Sequence, residues 1–194
     1  VNDKMDALDL FDVLGESLKQ EEVTEGMQQE EEEDDAEYDE HVWLSLKNAK
    51  VLTARIADEL IGIDPSNRSV YEANLEAYTK KLEELDGRYR EVAEGGSVRT
   101  LLFGDRFPFR YLTDDYGLDY YAAFAGCAAE TEASFETIIF LAGKVDELGI
   151  HTVLTIEGSD GSIAETIVQN TANKDAKILA LDSMQGITSA DVDS

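Results

Sequence analysis

The fold is constrained most strongly by residues 97–182, where short apolar runs alternate with amphipathic stretches. The apolar runs predict four buried strands, at 98–104, 118–126, 150–158 and 176–182. Between them, apolar residues recur at helical spacing, and Ser134 stands before one such stretch as a predicted N-cap. Strands that alternate with helices form a parallel sheet with helices on its faces. The sequence therefore predicts an α/β fold with a parallel sheet flanked by helices.

The segment before residue 97 predicts two further helices, of which the second is unusually long. The first begins after Ser45, which serves as its predicted N-cap. The second begins at Pro65 and ends at Gly95 and Gly96, so about 28 residues at ~1.5 Å per residue would span roughly 40 Å. A helix of this length favours a strut that joins two packing units. Its predicted apolar stripe consists of Tyr71, Leu75, Tyr78, Leu82, Leu85 and Tyr89.

The chain divides into three predicted parts around this long helix. They are a partial N-terminal lobe over 1–63, the linking helix over 64–96 and a C-terminal α/β lobe over 97–194. Residues 1–19 are predicted to be helical. Residues 20–40 carry twelve Asp or Glu, and because like charges at this density repel each other, we predict a solvated, mobile loop. The first residues have the pattern of a helix in mid-course, so we expect the sequence to be a fragment of a longer protein.

The composition excludes several classes of partner. The chain carries 43 acidic and 16 basic residues, which give a formal net charge of −27 and a pI near 4.1. Such a surface repels nucleic acid and anionic lipid, so we predict neither as a partner. No apolar run approaches the roughly 18–20 residues that a membrane span needs. The single cysteine excludes an internal disulfide framework.

Residues that follow the predicted strands are the most informative, because ligands bind beyond the carboxyl ends of the strands in such sheets. Asp105 and Arg106 end the first strand, Cys127 follows the second, Glu157 ends the third and Asp182 the fourth. Carboxylates at three strand ends of one edge favour a ligand site there. A simple ion pair between Asp105 and Arg106 is the alternative for the first strand, and a small buried apolar role is the alternative for Cys127.

The two histidines occupy different places in this predicted fold. His41 stands between the acidic run and the start of a helix, where it is either an incidental boundary residue or a metal ligand. His151 begins the third strand, at the edge opposite the carboxylates, and we interpret it as structural. The sequence has no phosphate-binding loop with its lysine, no nucleophile elbow and no convincing pairing of Cys127 with a histidine. We therefore predict that the protein is not an enzyme.

The segment DEHVWLSLKNAK resembles the zinc- and manganese-specific solute-binding proteins of bacterial ABC importers, the ZnuA-like cluster A-I family. The hallmark of that family is D-P-H-[VL]-W-L-[SD]-P followed by a helix, and then an Asp-Pro pair that opens a long helix. This chain has DEHVWLSL and the pair Asp64-Pro65. The similarity continues through RYLTDDYGL, ETEAS and TIEG and covers roughly residues 37–183. It implies two α/β lobes joined by the long helix, with a metal ion held between them.

The resemblance also implies a set of metal ligands. His41 matches the family's histidine in H-V-W-L-S, and Glu157 matches the acidic ligand of the second lobe. In the family, a histidine of the second lobe is the first residue of an H-D-A-F-like motif. The matching segment in this chain is GDRF, which has Gly104 in place of that histidine. The next residue, Asp105, is therefore the candidate replacement ligand. A further histidine is expected nearer the N-terminus, in a region that this sequence does not include. The predicted metal site therefore consists of His41, Glu157 and Asp105, and the thiol of Cys127 is a further, softer candidate ligand outside this set.

The implied cargo is Zn²⁺, with Mn²⁺ as the alternative. Zinc favours four nitrogen, sulfur or oxygen ligands, whereas an oxygen-rich site suits manganese about as well. The resemblance implies an extracytoplasmic protein at the cell surface or in the periplasm, lipid-anchored in its full-length form. Its implied partner is the membrane permease of an ABC importer.

Two alternatives from other classes stay open. One is an acidic extracellular module that binds calcium or adheres to a partner, although the sequence has no D-x-D-x-D-G calcium loop. The other is a hydrolase that uses Asp105, Glu157 and a metal-bound water. Metal-dependent stability without turnover would favour the solute-binding protein. Selectivity for calcium would favour the acidic module, and metal-dependent hydrolysis would favour the hydrolase.

Overall fold

The computed structural model describes residues 7–28, 38–126 and 132–186 of the 194-residue chain. Its helices are α1 (Leu10–Leu14), α2 (Leu46–Ile63), α3 (Arg68–Gly95), α4 (Arg110–Tyr116), α5 (Phe135–Leu148) and α6 (Ser162–Asn170). Its strands are β1 (Thr100–Phe107), β2 (Asp119–Ala125), β3 (Thr152–Ile156) and β4 (Lys177–Leu181). Short 3₁₀ helices occur at Gly15–Ser17, Val42–Leu44 and Pro65–Asn67.

The strands form one parallel sheet in the order β2-β1-β3-β4. From β1 the chain goes to β2 on one side and then crosses β1 to place β3 on the other. The winding direction therefore reverses between β1 and β3, which is where open α/β sheets have their ligand crevice. The structure confirms the predicted α/β fold. The predicted N-caps are also confirmed, since Ser45 Oγ accepts from Asn48 N at 3.0 Å and Ser134 Oγ accepts from Thr137 N at 3.1 Å.

Strand β1 lies in the centre of the core because its successive side chains point to opposite faces of the sheet. Leu102 packs with Leu141 of α5 and Ile167 of α6 on one face. Phe103 belongs to the cluster on the other face, where its ring stacks on Phe109 at a centroid distance of 5.2 Å. The two apolar faces fix β1 in place and thereby fix the polar residues near its carboxyl end.

The N-terminal segment is less helical than the sequence analysis predicts. Helix α1 covers one turn and a half, with Asp9 accepting hydrogen bonds from its first turn. It ends at Gly15, whose φ of 49° favours glycine and stops the helix. The prediction of a helix over 1–19 is therefore wrong beyond α1 and the 3₁₀ turn after it, and residues 1–6 lie outside the described residues.

The loop predicted over 20–40 is held against the sheet at Met27 and Gln28. Met27 is buried in the aromatic cluster beneath β1 and β2. Gln28 N donates to Ala123 O of β2 at 2.9 Å. The prediction of a solvated loop is wrong for this part, because one apolar side chain and one backbone hydrogen bond outweigh the surrounding charge. Residues 29–37 of the acidic run lie outside the described residues.

Helix α3 is the predicted long helix, and its 28 residues pack mainly against α2. Leu82 is the buried member of the predicted apolar stripe, whereas Tyr78 is 49% exposed. Near its end, Tyr89 stacks on Tyr116 of α4 at 5.5 Å, and Tyr116 Oη donates to Asp86 Oδ1 at 3.0 Å.

None of the helices in the described ranges combines the length and apolar character of a membrane span. The division into three parts stays a prediction.

Candidate metal centre

A cavity of about 650 Å³ lies where the 3₁₀ turn at Val42–Leu44 meets the carboxyl edge of the sheet. The segment before α2 contributes part of its wall, and the ends of β1, β2 and β4 contribute the rest. The cavity is therefore lined by residues from the segment 40–43 and from the part of the chain after residue 97. The described lining residues are Glu40, His41, Trp43, Arg106, Gly126, Met184 and Gln185.

The His41 ring is held in one orientation by Asp39. Both residues are buried, at 1% and 2% exposure. Asp39 Oδ1 accepts from the His41 backbone N at 2.8 Å and from His41 Nδ1 at 2.9 Å. Because a carboxylate oxygen can only accept, Nδ1 carries the proton, and Nε2 is the ring nitrogen left for a metal ion.

Asp39 is in turn fixed by the protein interior. Its backbone N donates to Lys19 O at 2.9 Å, and its backbone O accepts from Tyr111 Oη at 2.9 Å. Tyr111 Oη also accepts from Lys19 N at 3.0 Å. Burial raises the pKa of Tyr111, so its hydroxyl is protonated and remains a donor at neutral pH. These bonds make Asp39 a rigid support for His41.

Two neighbours close the space around the imidazole. A Cβ at Gly126 would lie 3.0 Å from His41 Cε1, so the glycine permits the close approach of the loop after β2. The Trp43 ring lies 5.4 Å from the His41 ring, centroid to centroid. Trp43 Nε1 donates to Ser183 O at 2.9 Å and thereby ties the 3₁₀ turn to the loop after β4.

Glu157 follows β3 and holds that same loop. Its Oε2 accepts from Ser183 N at 2.8 Å, and its Oε1 accepts from Ser183 Oγ at 2.6 Å and Gln185 N at 3.4 Å. Burial raises the pKa of the Glu157 carboxyl, but the hydrogen bonds from Ser183 outweigh it, and the pKa lies below its ordinary value of 4.5. Glu157 supports the cavity wall and is not itself among the lining residues. Its role as a metal ligand stays a prediction.

Replacing Glu157 by glutamine is expected to flatten the acid side of the stability curve. A carboxyl whose pKa is lowered by folding contributes stability that is present above the ordinary pKa and is lost as pH falls through the folded pKa. In urea denaturation, the wild type should lose more unfolding free energy than Glu157→Gln between about pH 5 and about pH 3. Glu76→Gln, an exposed change on α3, should keep the wild-type slope. Equal slopes for wild type and Glu157→Gln would contradict the stabilising role.

Asp105 lies in a different cavity from His41. It is 8% exposed, and its Oδ1 accepts from Arg106 N at 2.8 Å. It lines a second cavity of about 310 Å³ together with Ser159 and Asp160, at the crevice between β1 and β3. The described side chains of Asp105 and Arg106 form no ion pair with each other, so the alternative of a simple ion pair between them is wrong. The structure does not bring Asp105 to His41, and its ligand role stays a prediction.

The side chain that β1 contributes to the His41 cavity is Arg106. The register with β2 shifts between Phe103 and Arg106, so a bulge interrupts the alternation of faces. Gly104, the position matched above to a family histidine, packs against α6, where a Cβ would lie 2.6 Å from Ala164 Cα. No side chain fits there, and Arg106, two residues later, lines the cavity instead.

The remaining candidates contribute little to this cavity. His151 is exposed, and its carbonyl accepts from Lys177 N at 2.9 Å beside the amino end of β3. Cys127 lies outside the described residues. Asp182 is exposed, and its Oδ1 accepts from Met184 N at 2.7 Å.

Asp39 and Glu40 also belong to the site, although they are not among the ligands predicted from the sequence. Potential ligand atoms of these two residues and His41 lie within 4.8 Å of one another. Asp39 is the first residue of the DEHVW block, so its spacing of two residues from the histidine was the available signal. The dense acidic run around it hid that signal, because its carboxylates were all assigned to a solvated loop.

Comparison with known proteins assigns the family. Residues 3–194 match the family model ZnuA, described as zinc-uptake complex component A, periplasmic. The chain belongs to this family, which consists of solute-binding proteins and not of enzymes.

The chain matches only part of the length of each individual relative. The chain is 31% identical over 134 residues to the manganese ABC transporter substrate-binding lipoprotein PsaA of Streptococcus anginosus, covering 69% of this chain and 43% of that protein. It is 27% identical over 155 residues to the high-affinity zinc uptake system protein ZnuA of Bacillus subtilis, covering 80% of this chain and 47% of that protein. The chain thus spans less than half the length of these two relatives.

A solved structure supports the fold. The metal-dependent lipoprotein YcdH from Bacillus subtilis superposes with a TM-score of 0.68 at 27% identity, covering 80% of this chain and 57% of that one.

Proposed function

We propose that this member of the zinc-uptake component A family binds a divalent transition-metal ion at His41, with zinc as the first candidate and manganese as the alternative. The observation that carries the proposal is the buried imidazole that lines a cavity and is oriented through Nδ1 by Asp39. Metal-bound histidines almost always donate their other ring N–H to a carboxylate or carbonyl in this way. The names of the two relatives, one for manganese and one for zinc, support the same class of cargo.

Carboxylates are the proposed further ligands. Glu40 lines the cavity beside His41. The predicted ligand Glu157 stands behind the loop it supports, so reaching the ion requires a change in its bonds to Ser183. Asp105 would have to reach the ion from the neighbouring cavity. One imidazole with carboxylates is acceptable to zinc, and a larger share of oxygen ligands shifts the preference towards manganese.

In this proposal the chain forms the metal-carrying part of an extracytoplasmic solute-binding protein of an ABC importer. The ion would be held until the membrane permease receives it, and lipid anchoring belongs to the full-length protein. Helix α3 is continuous over 28 residues, so we expect release through small loop or lobe shifts and not through wide closure.

Thermal unfolding with and without metal tests the proposal. After removal of bound metal by a chelator, Zn²⁺ at 100 times its Kd should stabilise the wild type by about 2.7 kcal/mol, which is several degrees. His41→Ala should lose this shift because the oriented nitrogen is gone. Parallel titrations with Mn²⁺ and Ca²⁺ identify the preferred ion.

His151→Ala is the matched control, since it removes the other histidine from an exposed site remote from the cavity. It should keep the full zinc shift. A zinc shift that survives in His41→Ala, or the absence of any zinc or manganese shift, would overturn the proposal. A shift with calcium alone would favour the acidic calcium-binding module.

A further inference from the structure

The segment 39–45 carries the proposed metal ligand and is held at both of its ends by helix α4. At the first end, the Asp39 carbonyl accepts from Tyr111 Oη at 2.9 Å. At the other end, Ser45 Oγ donates to Asp115 Oδ2 at 2.7 Å. Tyr111 and Asp115 are four residues apart in α4, so they lie on one face of that helix. One helix face therefore bonds to both ends of the segment.

The bond between Ser45 and Asp115 is shielded from water. Ser45 is 2% exposed, and its hydroxyl also accepts from Asn48 N at 3.0 Å. A hydroxyl that donates to a carboxylate forms a short, charge-assisted hydrogen bond. Lys47 Nζ lies 2.8 Å from Asp115 Oδ1, but 54% of the Lys47 side chain is exposed, so this ion pair contributes little. The bond to Ser45 is therefore the contact through which Asp115 acts on the segment.

The position of Asp115 within α4 is explained by this contact. Asp115 is the last residue but one of α4, where the partial negative charge of a helix end disfavours an acidic side chain. Its carboxylate lies at the start of α2, where the partial positive charge of the helix end favours it. The unfavourable interaction with its own helix is thus offset by the favourable interaction with α2.

Helix α4 is itself fixed to the sheet. It follows β1 after only Pro108 and Phe109. Phe109 is 1% exposed, and its ring stacks on Phe103 of β1 at a centroid distance of 5.2 Å. The Tyr111 side chain is buried to the same extent. The helix therefore holds segment 39–45 at a fixed place relative to the end of β1.

We propose that α4 positions the metal ligand, with Tyr111 and Asp115 holding the two ends of segment 39–45 so that His41 Nε2 keeps its place in the cavity. This inference rests on the proposed function. Asp115 is a positioning residue, because it acts through Ser45 and is not among the described residues that line the cavity. Its loss should loosen the segment while leaving the hydrogen bond of the imidazole itself in place.

Zinc affinity and the fluorescence of Trp43 test the inference together. Trp43 is the single tryptophan of the chain and lies within the held segment, 5.4 Å from the His41 ring. Asp115→Ala should weaken zinc binding by about threefold to tenfold, which is less than the effect of removing a residue bonded directly to a metal ligand. In the metal-free protein, the same change should increase the quenching of Trp43 by acrylamide. Zinc affinity is measured by competition with a fluorescent chelator.

Three further variants separate positioning from general stability. Asp115→Asn keeps an oxygen that accepts from Ser45 Oγ, so zinc affinity should return to within about twofold of the wild type. Lys47→Ala removes only the exposed ion pair and should change neither readout. Thr171→Ala removes a buried hydroxyl that accepts from Lys174 N at 3.0 Å beyond the end of α6. It should lower the urea midpoint and leave zinc affinity and Trp43 quenching unchanged.

Wild-type zinc affinity and quenching in Asp115→Ala would overturn this inference and leave the proposed function intact. An equal loss of affinity in Asp115→Ala and Asp115→Asn would also overturn it, because the hydrogen bond to Ser45 would then not be the cause. The same holds for an equal loss in Thr171→Ala, since zinc affinity would then follow stability alone. Zinc binding that does not depend on His41 would overturn both proposals.

Discussion

Replacing Asp39 by alanine should weaken zinc binding by about 10- to 100-fold, because the carboxylate that orients His41 is lost. The same change should lower the unfolding free energy by about 2–5 kcal/mol, since two buried donors, His41 N and Nδ1, lose their acceptor. Their distances of 2.8 and 2.9 Å to one oxygen indicate that both bonds are well formed. Zinc affinity is measured by competition with a fluorescent chelator, and stability by urea denaturation in the absence of metal.

Asp39→Asn separates the two effects. Asparagine keeps one side-chain oxygen as an acceptor, so most of the stability should return. The neutral amide polarises the imidazole less than a carboxylate does, so zinc affinity should recover only in part. Asp58→Ala, an exposed change on α2, controls for the lost charge and should leave both quantities unchanged. Full zinc affinity in Asp39→Ala would contradict the role assigned to Asp39.

The sequence allowed the sheet to be predicted because its strands carry a strong apolar signal. The predicted runs at 98–104 and 176–182 include most of β1 and β4, and the caps at Ser45 and Ser134 mark helix starts that the structure confirms. These features are local, since they depend on a few neighbouring residues and on standard helix and strand geometry. His41 was identified by its place in a motif, which is also local information.

The members of the site that depend on tertiary contacts could not be predicted in the same way. The bulge between Phe103 and Arg106 changes which side chains of β1 share a face. Strict alternation puts Asp105 and Arg106 on opposite faces, whereas both line the cavity between β1 and β3 and Arg106 also lines the His41 cavity. Likewise, nothing local to Glu157 indicates that its oxygens bind Ser183, which lies 26 residues further along the chain. The carboxylates at the strand ends therefore looked equivalent in the sequence. In the structure, Glu157 binds Ser183 and Asp105 lines the second cavity.

Gly104→Ala should lower the unfolding free energy by about 3 kcal/mol, at the upper end of the cost of overpacking. The added Cβ would lie 2.6 Å from Cα, 2.8 Å from Cβ and 2.9 Å from N of Ala164. Two of these three atoms are backbone, so a change of rotamer cannot relieve the contact and α6 itself has to move. Because α6 covers Leu102 through Ile167, its displacement also disturbs the core. Urea denaturation at neutral pH measures the loss.

The same substitution at Gly143 should have the opposite sign and is the matched control. Gly143 lies within α5, and a Cβ there meets nothing within 4 Å. Alanine should therefore stabilise the protein by about 0.5–1 kcal/mol, because it reduces the backbone entropy lost on folding. If Gly104→Ala proved as harmless as Gly143→Ala, the close packing of β1 on α6 would be wrong. The argument that Gly104 cannot hold a histidine ligand would then fail.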